Sequence, residues 1–186
     1  MRSLQDFIIV YENIVPLDLC DEIISEYGSS TEWVKTALQD GNVYSNLRNC
    51  TSVNVSLPEV VGRNAEVRKK LDRKLFDCAS NAIKLYSTKY QFCNIEQDYG
   101  YELLKYEVGQ FFVEHTDSFK AIPRAVSCSF ALNDDYKGGE FAFFNGSVTT
   151  KIPKGAALLF PSNFMYPHQI MPVTEGTRYS IITWFI

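Results

Sequence analysis

The sequence predicts an α+β fold with a mainly β core: a jelly roll with N-terminal helices packed on one sheet. Apolar residues recur at helical spacing in the first half of the chain. After about residue 95, short runs rich in β-branched and aromatic residues replace that pattern. The length of 186 residues fits one domain with a complete core. We therefore expect a single domain over 1–186, with helical support in 1–95 and the jelly-roll core in 96–186.

Two helices are expected before the strands begin. A short β-prone run, Phe7–Val10, opens the chain. Apolar residues at helical spacing predict a first helix over Pro16–Tyr27, ended by Gly28. The same spacing continues over Val67–Tyr90 and predicts a long amphipathic helix. Residues 28–49 between the two are polar, and we expect them to be irregular.

Eight strands are expected in the second half, separated by turn signals. They are Glu102–Tyr106, Phe111–Glu114, Ala125–Leu132, Glu140–Phe144, Ser147–Ile152, Ala156–Phe160, His168–Met171 and Arg178–Ile186. Asn145-Gly146 lies between two of these runs and predicts a hairpin. Gly138-Gly139 is interpreted as a turn at a strand entry rather than as a close approach of two backbones.

Composition excludes several classes of protein. The 18 basic and 22 acidic side chains give a net charge of −4, which disfavours a nucleic-acid partner. No stretch approaches the ~20 apolar residues of a membrane span, and the N-terminus does not resemble a signal peptide. The five cysteines are odd in number and lack a C-x-x-C pair, which indicates free thiols. We expect a soluble protein, cytoplasmic or otherwise intracellular.

Both histidines lie among the predicted strands. In an extended segment residues i and i+2 point to the same side, so His115 and Asp117 can converge. With His168 they supply two imidazoles and one carboxylate, the facial triad of non-haem Fe(II) oxygenases. An H-x-D pair often arises by chance, and surface or core histidines are the alternative at this point.

Arg178 begins the last predicted strand. A guanidinium inside a barrel needs an anion, because a buried unpaired charge is very costly. Its planar fork suits a carboxylate, such as the distal group of a 2-oxo diacid that chelates a metal. The alternative is a structural salt bridge to one of the 22 acidic residues.

These residues belong to a larger set of motifs. The set is Tyr106-x-x-Gly109, His115-x-Asp117, Arg124, Leu132-Asn133, Gly138-Gly139-Glu140, Pro153-x-Gly155, Phe160, His168, Pro172-Val173, Gly176-Thr177-Arg178 and Trp184. With them, nearly the whole chain resembles the prolyl 4-hydroxylase superfamily of 2-oxoglutarate- and Fe(II)-dependent dioxygenases. The resemblance implies a double-stranded β-helix, in which His115, Asp117 and His168 hold Fe(II). It also implies that Arg178 binds the far carboxylate of 2-oxoglutarate and that Tyr106 lines the pocket.

The resemblance further implies the reaction. O2 and 2-oxoglutarate are consumed, a C–H bond is hydroxylated, succinate and CO2 are released, and ascorbate supports activity. The leading hypothesis is hydroxylation of a prolyl residue in a protein or peptide. The same chemistry on a free amino acid, another small molecule or a nucleobase is the first alternative. A non-catalytic sandwich that binds a metal or a partner is the second.

Some positions depart from the family or stay open. A tyrosine that assists the far carboxylate in oxygen-sensing relatives falls at Ala131, where the sequence offers no hydroxyl. Three hydroxyl residues are candidates to replace it: Thr149, Thr150 and Ser180. Trp184 either flanks the substrate or packs in the sheet. Arg124 either anchors a strand or a loop salt bridge, or contacts substrate. Residues 28–62 match the region where related enzymes place a mobile substrate loop, although an ordinary connection is an equal alternative.

Overall fold

The computed structural model describes residues 2–38, 40–56, 65–95 and 97–186. Within them the helices are α1 (Leu17–Tyr27) and α2 (Ala65–Lys89), and a 3-10 turn spans Leu4–Phe7. The strands are β1 (Ile9–Tyr11), β2 (Val34–Lys35), β3 (Arg48–Asn49), β4 (Thr51–Asn54), β5 (Glu102–Tyr106), β6 (Phe111–His115), β7 (Val126–Ala131), β8 (Lys137–Gly138), β9 (Phe141–Phe143), β10 (Val148–Thr150), β11 (Ala157–Pro161), β12 (His168–Ile170), β13 (Val173–Glu175) and β14 (Arg178–Phe185).

The strands form two main sheets of antiparallel neighbours. Seven strands follow the order β1-β11-β7-β14-β5-β4-β2, and five follow β10-β9-β12-β6-β3. β8 and β13 form a separate two-stranded pair. The prediction of a mainly β fold with few helices is confirmed, and each of the eight predicted strands overlaps a strand of the structure.

The helices pack on one face of the seven-stranded sheet. The buried face of α2 includes Leu75 and Ala82, which belong to the same hydrophobic cluster as Phe130 of β7 and Ile181 of β14. Successive side chains of a strand point to opposite faces. The next residue of β14, Ile182, therefore points the other way, into a second cluster between the two sheets. The functional cleft opens in this second layer.

The predicted irregular stretch 28–49 is corrected by the structure. It contains β2 and β3, which pair with β4 and β6 and so extend both sheets. Each of the two strands is only two residues long, so neither can carry an alternating apolar pattern that would reveal it. Residues 57–62 of the proposed substrate loop lie outside the described residues.

The turn assigned to Gly138-Gly139 is also corrected. Gly138 lies in β8 opposite Val173, with a positive φ of 72°. A Cβ at this position would lie 2.2 Å from the Pro172 carbonyl oxygen. The glycine therefore permits a close backbone approach. The Asn145-Gly146 hairpin is confirmed, since it joins β9 to β10.

Two further features concern the surroundings of the protein. No helix among the described residues is long and apolar enough to span a membrane. All five cysteines are free thiols; four are buried and Cys93 is partly exposed.

Candidate active site

The two histidines face each other across neighbouring strands. His115 ends β6, His168 begins β12, and the two are directly paired in the antiparallel register. The Nδ1 atom of His115 lies 2.8 Å from the Val113 carbonyl oxygen, and that of His168 lies 3.1 Å from the Tyr166 carbonyl oxygen. A carbonyl only accepts hydrogen bonds, so each Nδ1 carries the proton. In the neutral form of such a ring, Nε2 carries the lone pair that can bind a metal.

Asp117 completes the cluster. Its Oδ1 lies 3.5 Å from Nε2 of His115, and its Oδ2 lies 3.6 Å from Nε2 of His168. One ligand atom from each of the three residues lies within 4.8 Å of the others. Because N and O ligands sit ~2.0–2.2 Å from a bound metal, this spacing fits a shared ion.

The protonation states of His168 and Asp117 favour metal binding. Burial lowers the pKa of His168 to about 4, so its imidazole is neutral at neutral pH. Burial opposes ionisation of Asp117, but the neighbouring imidazoles and a hydrogen bond from Ser127 hold its pKa below the usual range. The cluster thus offers two imidazoles and one carboxylate. That donor set fits Fe(II) and leaves three positions of an octahedron open.

Aromatic rings pack against both histidines. The His115 ring stacks on Phe112 with the centroids 3.5 Å apart, and His168 meets Phe160 edge-on at 4.6 Å. Phe143 packs 5.6 Å from His168 on another side. The imidazoles are therefore fixed in orientation by packing as well as by hydrogen bonds.

Arg178 is buried in the same cleft, with 3% of its surface exposed. Its Nη1 donates to Ser180 Oγ at 2.9 Å, and its guanidinium carbon lies 5.2 Å from the Tyr106 ring centroid. It forms no ion pair with any carboxylate among the described residues, so the predicted alternative of a structural salt bridge finds no support there. A buried cation without an anion fits a carboxylate ligand.

Ser180 stands beside the position that lacks the family tyrosine. It is paired with Ala131 across β14 and β7, so its hydroxyl occupies the space next to that small side chain. Thr149 and Thr150 lie on β10, at the edge of the five-stranded sheet, and neither lines the cleft. Of the three candidates, only Ser180 contacts Arg178.

The cleft has a volume of about 860 Å³ and contains both the triad and Arg178. Arg124 and Trp184 form one wall, with the guanidinium carbon 3.5 Å from the indole centroid. Nη1 of Arg124 also donates to the Asp117 carbonyl oxygen at 3.2 Å. Arg124 therefore braces the segment that carries Asp117 while it presents a cationic, aromatic surface to the cleft.

Sequence reasoning missed several residues of this site. Arg48, noted only as part of the loop, is largely buried in the cleft, 3.6 Å from Glu102 and stacked over Phe112. Ser127 was not singled out, although its Oγ lies 2.6 Å from Asp117 Oδ2. A signal was present, since Ser127 and Ser129 alternate with apolar residues in β7 and so mark one face as polar.

Comparisons with known proteins agree with this geometry. Residues 101–186 match the family described as the 2OG-Fe(II) oxygenase superfamily. A PKHD-type hydroxylase from Synechococcus sp. (strain JA-2-3B'a(2-13)) is 34% identical over 89 residues, which is 42% of this chain and 39% of the relative. The procollagen-lysine,2-oxoglutarate 5-dioxygenase 1 of Rattus norvegicus is 23% identical over 171 residues, 89% of this chain and 22% of the relative. The chain thus spans about two fifths or less of the length of these curated relatives.

Solved structures show the same fold. A prolyl hydroxylase in complex with a hypoxia inducible factor peptide, from Trichoplax adhaerens, superposes with a TM-score of 0.78 at 19% identity and covers 97% of this chain and 83% of its own. A Pseudomonas putida prolyl-4-hydroxylase gives 0.72 at 19% identity, over 96% and 92% of the two chains. The fold is therefore of the jelly-roll type. The resemblance stated from the sequence is confirmed: the chain resembles the prolyl 4-hydroxylase-like oxygenases that use 2-oxoglutarate and Fe(II).

Proposed function

We propose that this chain is a 2-oxoglutarate- and Fe(II)-dependent dioxygenase that hydroxylates a prolyl residue in a protein or peptide, with succinate and CO2 as coproducts. One observation carries the proposal. His115, His168 and Asp117 converge in the same cleft as Arg178, a buried cation with no carboxylate partner among the described residues. We further propose that residues 1–186 form one domain built on a double-stranded β-helix.

The three ligands hold the metal through Nε2 of each histidine and a carboxylate oxygen of Asp117. When bound, Fe(II) and 2-oxoglutarate supply the oxidation, in which one oxygen atom of O2 enters the substrate and the other enters succinate. The role of the chain is to bind, orient and exclude water. The rings packed around His115 and His168 keep the ligand set rigid.

Arg178 and Ser180 receive the distal carboxylate of 2-oxoglutarate. The guanidinium supplies charge and a planar fork, and the Ser180 hydroxyl holds that fork in place. Tyr106 closes the other side with its ring. Burial raises the pKa of its phenol, so the hydroxyl stays protonated and available as a donor.

The substrate enters beside Arg124 and Trp184. Both side chains line the cleft, and the Arg124 guanidinium suits the carbonyl groups of an extended peptide because it carries hydrogen-bond donors. The Trichoplax adhaerens structure, solved with a peptide, supports a peptide substrate. The cleft also has room for a free amino acid or other small molecule, whereas the acidic balance disfavours nucleobases attached to phosphates.

Peptide turnover tests the proposal. The chain is incubated with Fe(II), ascorbate, 2-oxoglutarate and peptides that contain proline, lysine or neither, and succinate and peptide mass are measured. We expect succinate and the addition of one oxygen atom with the proline peptide, and neither with the Asp117→Ala variant. Oxygen addition confined to the lysine peptide would overturn the prolyl assignment alone.

Ligand binding separates the enzyme from a non-catalytic sandwich. Thermal unfolding is recorded with Mn(II), with 2-oxoglutarate, and with both. We expect stabilisation by Mn(II) and a further increase with 2-oxoglutarate, since each ligand binds the folded state only. Absence of a shift with either ligand would favour a module that binds partners instead.

A further inference from the structure

Asp117 is the one member of the triad that no strand holds. His115 and His168 lie on β6 and β12 and are fixed by the pairing of those strands. Asp117 lies two residues beyond the end of β6, in an irregular segment that reaches to residue 125. Its carboxylate therefore needs other contacts to stay aimed at the histidines.

Two buried serines supply these contacts. Ser127 Oγ donates to Asp117 Oδ2 at 2.6 Å, and Ser162 Oγ lies 2.8 Å from Ser127 Oγ. Both serines are almost inaccessible to solvent, at 0% and 1% exposed. A hydroxyl carries one proton, and an ionised carboxylate only accepts. The proton of Ser127 goes to Asp117, so Ser162 must donate to Ser127.

Ser162 also holds the backbone of the same segment. Its carbonyl oxygen accepts from the N–H of Ser118 at 2.9 Å, and its N–H donates to the Ala125 carbonyl oxygen at 3.0 Å. Ser118 and Ala125 flank the irregular segment near its two ends. One residue, just beyond β11, thus fixes the segment that carries Asp117 while it orients the hydroxyl that reaches the Asp117 carboxylate.

We propose that Ser127 and Ser162 are positioning residues that fix the Asp117 carboxylate so that Oδ1 is offered to the metal. Oδ2 already accepts the Ser127 proton, whereas no hydroxyl or backbone N–H among the described residues donates to Oδ1. A directed chain of hydrogen bonds in a buried site is strengthened by its own polarisation. The inference rests on the proposed metal site and adds the groups that orient its one anionic ligand.

Cobalt binding tests the assignment without turnover. Wild type, Ser127→Ala, Ser162→Ala and Ser127→Thr are titrated with Co(II), and the visible spectrum and the thermal midpoint of the metal-free protein are recorded. We expect Ser127→Ala to weaken Co(II) binding by about 10- to 100-fold, the usual effect of losing an outer partner of a metal ligand. Ser162→Ala should give a smaller loss. Ser127→Thr, which keeps the hydroxyl, should recover most of the affinity.

Thr183→Val is the matched control. Thr183 is also fully buried, its hydroxyl has no partner among the described residues, and it lies on the opposite face of the sheet from Ser127. We expect its Co(II) affinity and spectrum to match wild type.

The outcomes separate the two claims. Wild-type affinity in both alanine variants would overturn the positioning role and leave the metal site intact. Absence of Co(II) binding in the wild type would refute the metal site itself. If Ser127→Ala does not fold, Ser162→Ala decides, since it leaves the Ser127–Asp117 contact in place and removes only the donor behind it. We expect the Co(II) absorption band to change in Ser127→Ala, because a freed carboxylate can bind through both oxygens; a merely structural role predicts an unchanged band.

Discussion

Arg178→Gln is the substitution that most directly probes cosubstrate binding. The side chain is 3% exposed, one donor is used by Ser180, and no carboxylate among the described residues pairs with the rest. A bidentate contact with a ligand carboxylate adds two charge-assisted hydrogen bonds of about 1.5–3 kcal/mol each. Their sum of ~3–6 kcal/mol corresponds to roughly 100- to 10,000-fold in affinity. Glutamine keeps one neutral donor, so we expect the lower part of that range.

The assay is succinate formation as a function of 2-oxoglutarate concentration, with peptide and Fe(II) held at saturation. Direct binding of 2-oxoglutarate to the Mn(II)-loaded protein gives the same comparison without turnover. Arg73→Gln is the matched control, because it removes an equal charge from an exposed position of α2. We expect its KM for 2-oxoglutarate to match wild type.

Stability gives a second readout for the same variant. Without ligand, the Arg178 guanidinium is a buried charge. No carboxylate among the described residues pairs with it to offset the cost of its desolvation. We therefore expect the ligand-free thermal midpoint of Arg178→Gln to equal or exceed that of wild type. A KM within threefold of wild type would refute the cosubstrate role of Arg178, whatever the stability.

Three further predictions concern the triad, the pH dependence of stability and one glycine of β8. His115→Ala should reduce turnover to background and abolish Co(II) binding, because the chain has two histidines and no third to replace it; residual Co(II)-dependent spectra would contradict this. The metal-free protein should lose up to about 3 kcal/mol of stability as the pH falls from about 6.5 to about 4, since His168 resists protonation in the folded state and accepts a proton when unfolded. Denaturant unfolding across that range measures the loss, and a flat profile would contradict it. Gly138→Ala should cost about 2–4 kcal/mol, because its Cβ would meet the Pro172 carbonyl and its φ is 72°. The control Gly146→Ala, with φ of 81° and open space, should cost about 1 kcal/mol, and equal losses in the two variants would refute the contact argument.

The strands of the core were predictable because successive side chains along them face two different buried layers. β14 illustrates this, with residues such as Ile181 facing the helices and Ile182 facing the cleft. β2 and β3 were not predictable in this way. They are two residues long and contribute no residue to the buried core, so only pairing with neighbouring strands makes them strands.

Part of the candidate site was likewise predictable from the sequence, and part was not. Spacing predicted that His115 and Asp117 converge, and His168 was the remaining histidine of the chain. Arg178 was singled out by its place at the start of the last predicted strand. Ser162 could not be found, because its partners Ser127 and Ser118 are distant in sequence and meet it only through the sheet. A lone buried serine has no motif, and its role depends on where the fold places it.

The contacts of Arg124 match neither of the roles expected from the sequence completely. The sequence predicted that it anchors a strand or a loop salt bridge, or that it contacts substrate. The structure gives a contact with the Asp117 carbonyl oxygen and a stack on Trp184, with no ion pair among the described residues. Burial lowers the pKa of its guanidinium, in keeping with a cation that lacks a carboxylate partner.

Succinate production by this chain tests the central claim most directly. The chain and its Asp117→Ala variant are supplied with Fe(II), ascorbate, 2-oxoglutarate, O2 and a proline-containing peptide. The account predicts succinate that depends on Fe(II) and on Asp117, together with one oxygen atom added to the peptide. Succinate at the level of the Asp117→Ala variant, in protein shown to bind Co(II) and to be folded, would contradict it.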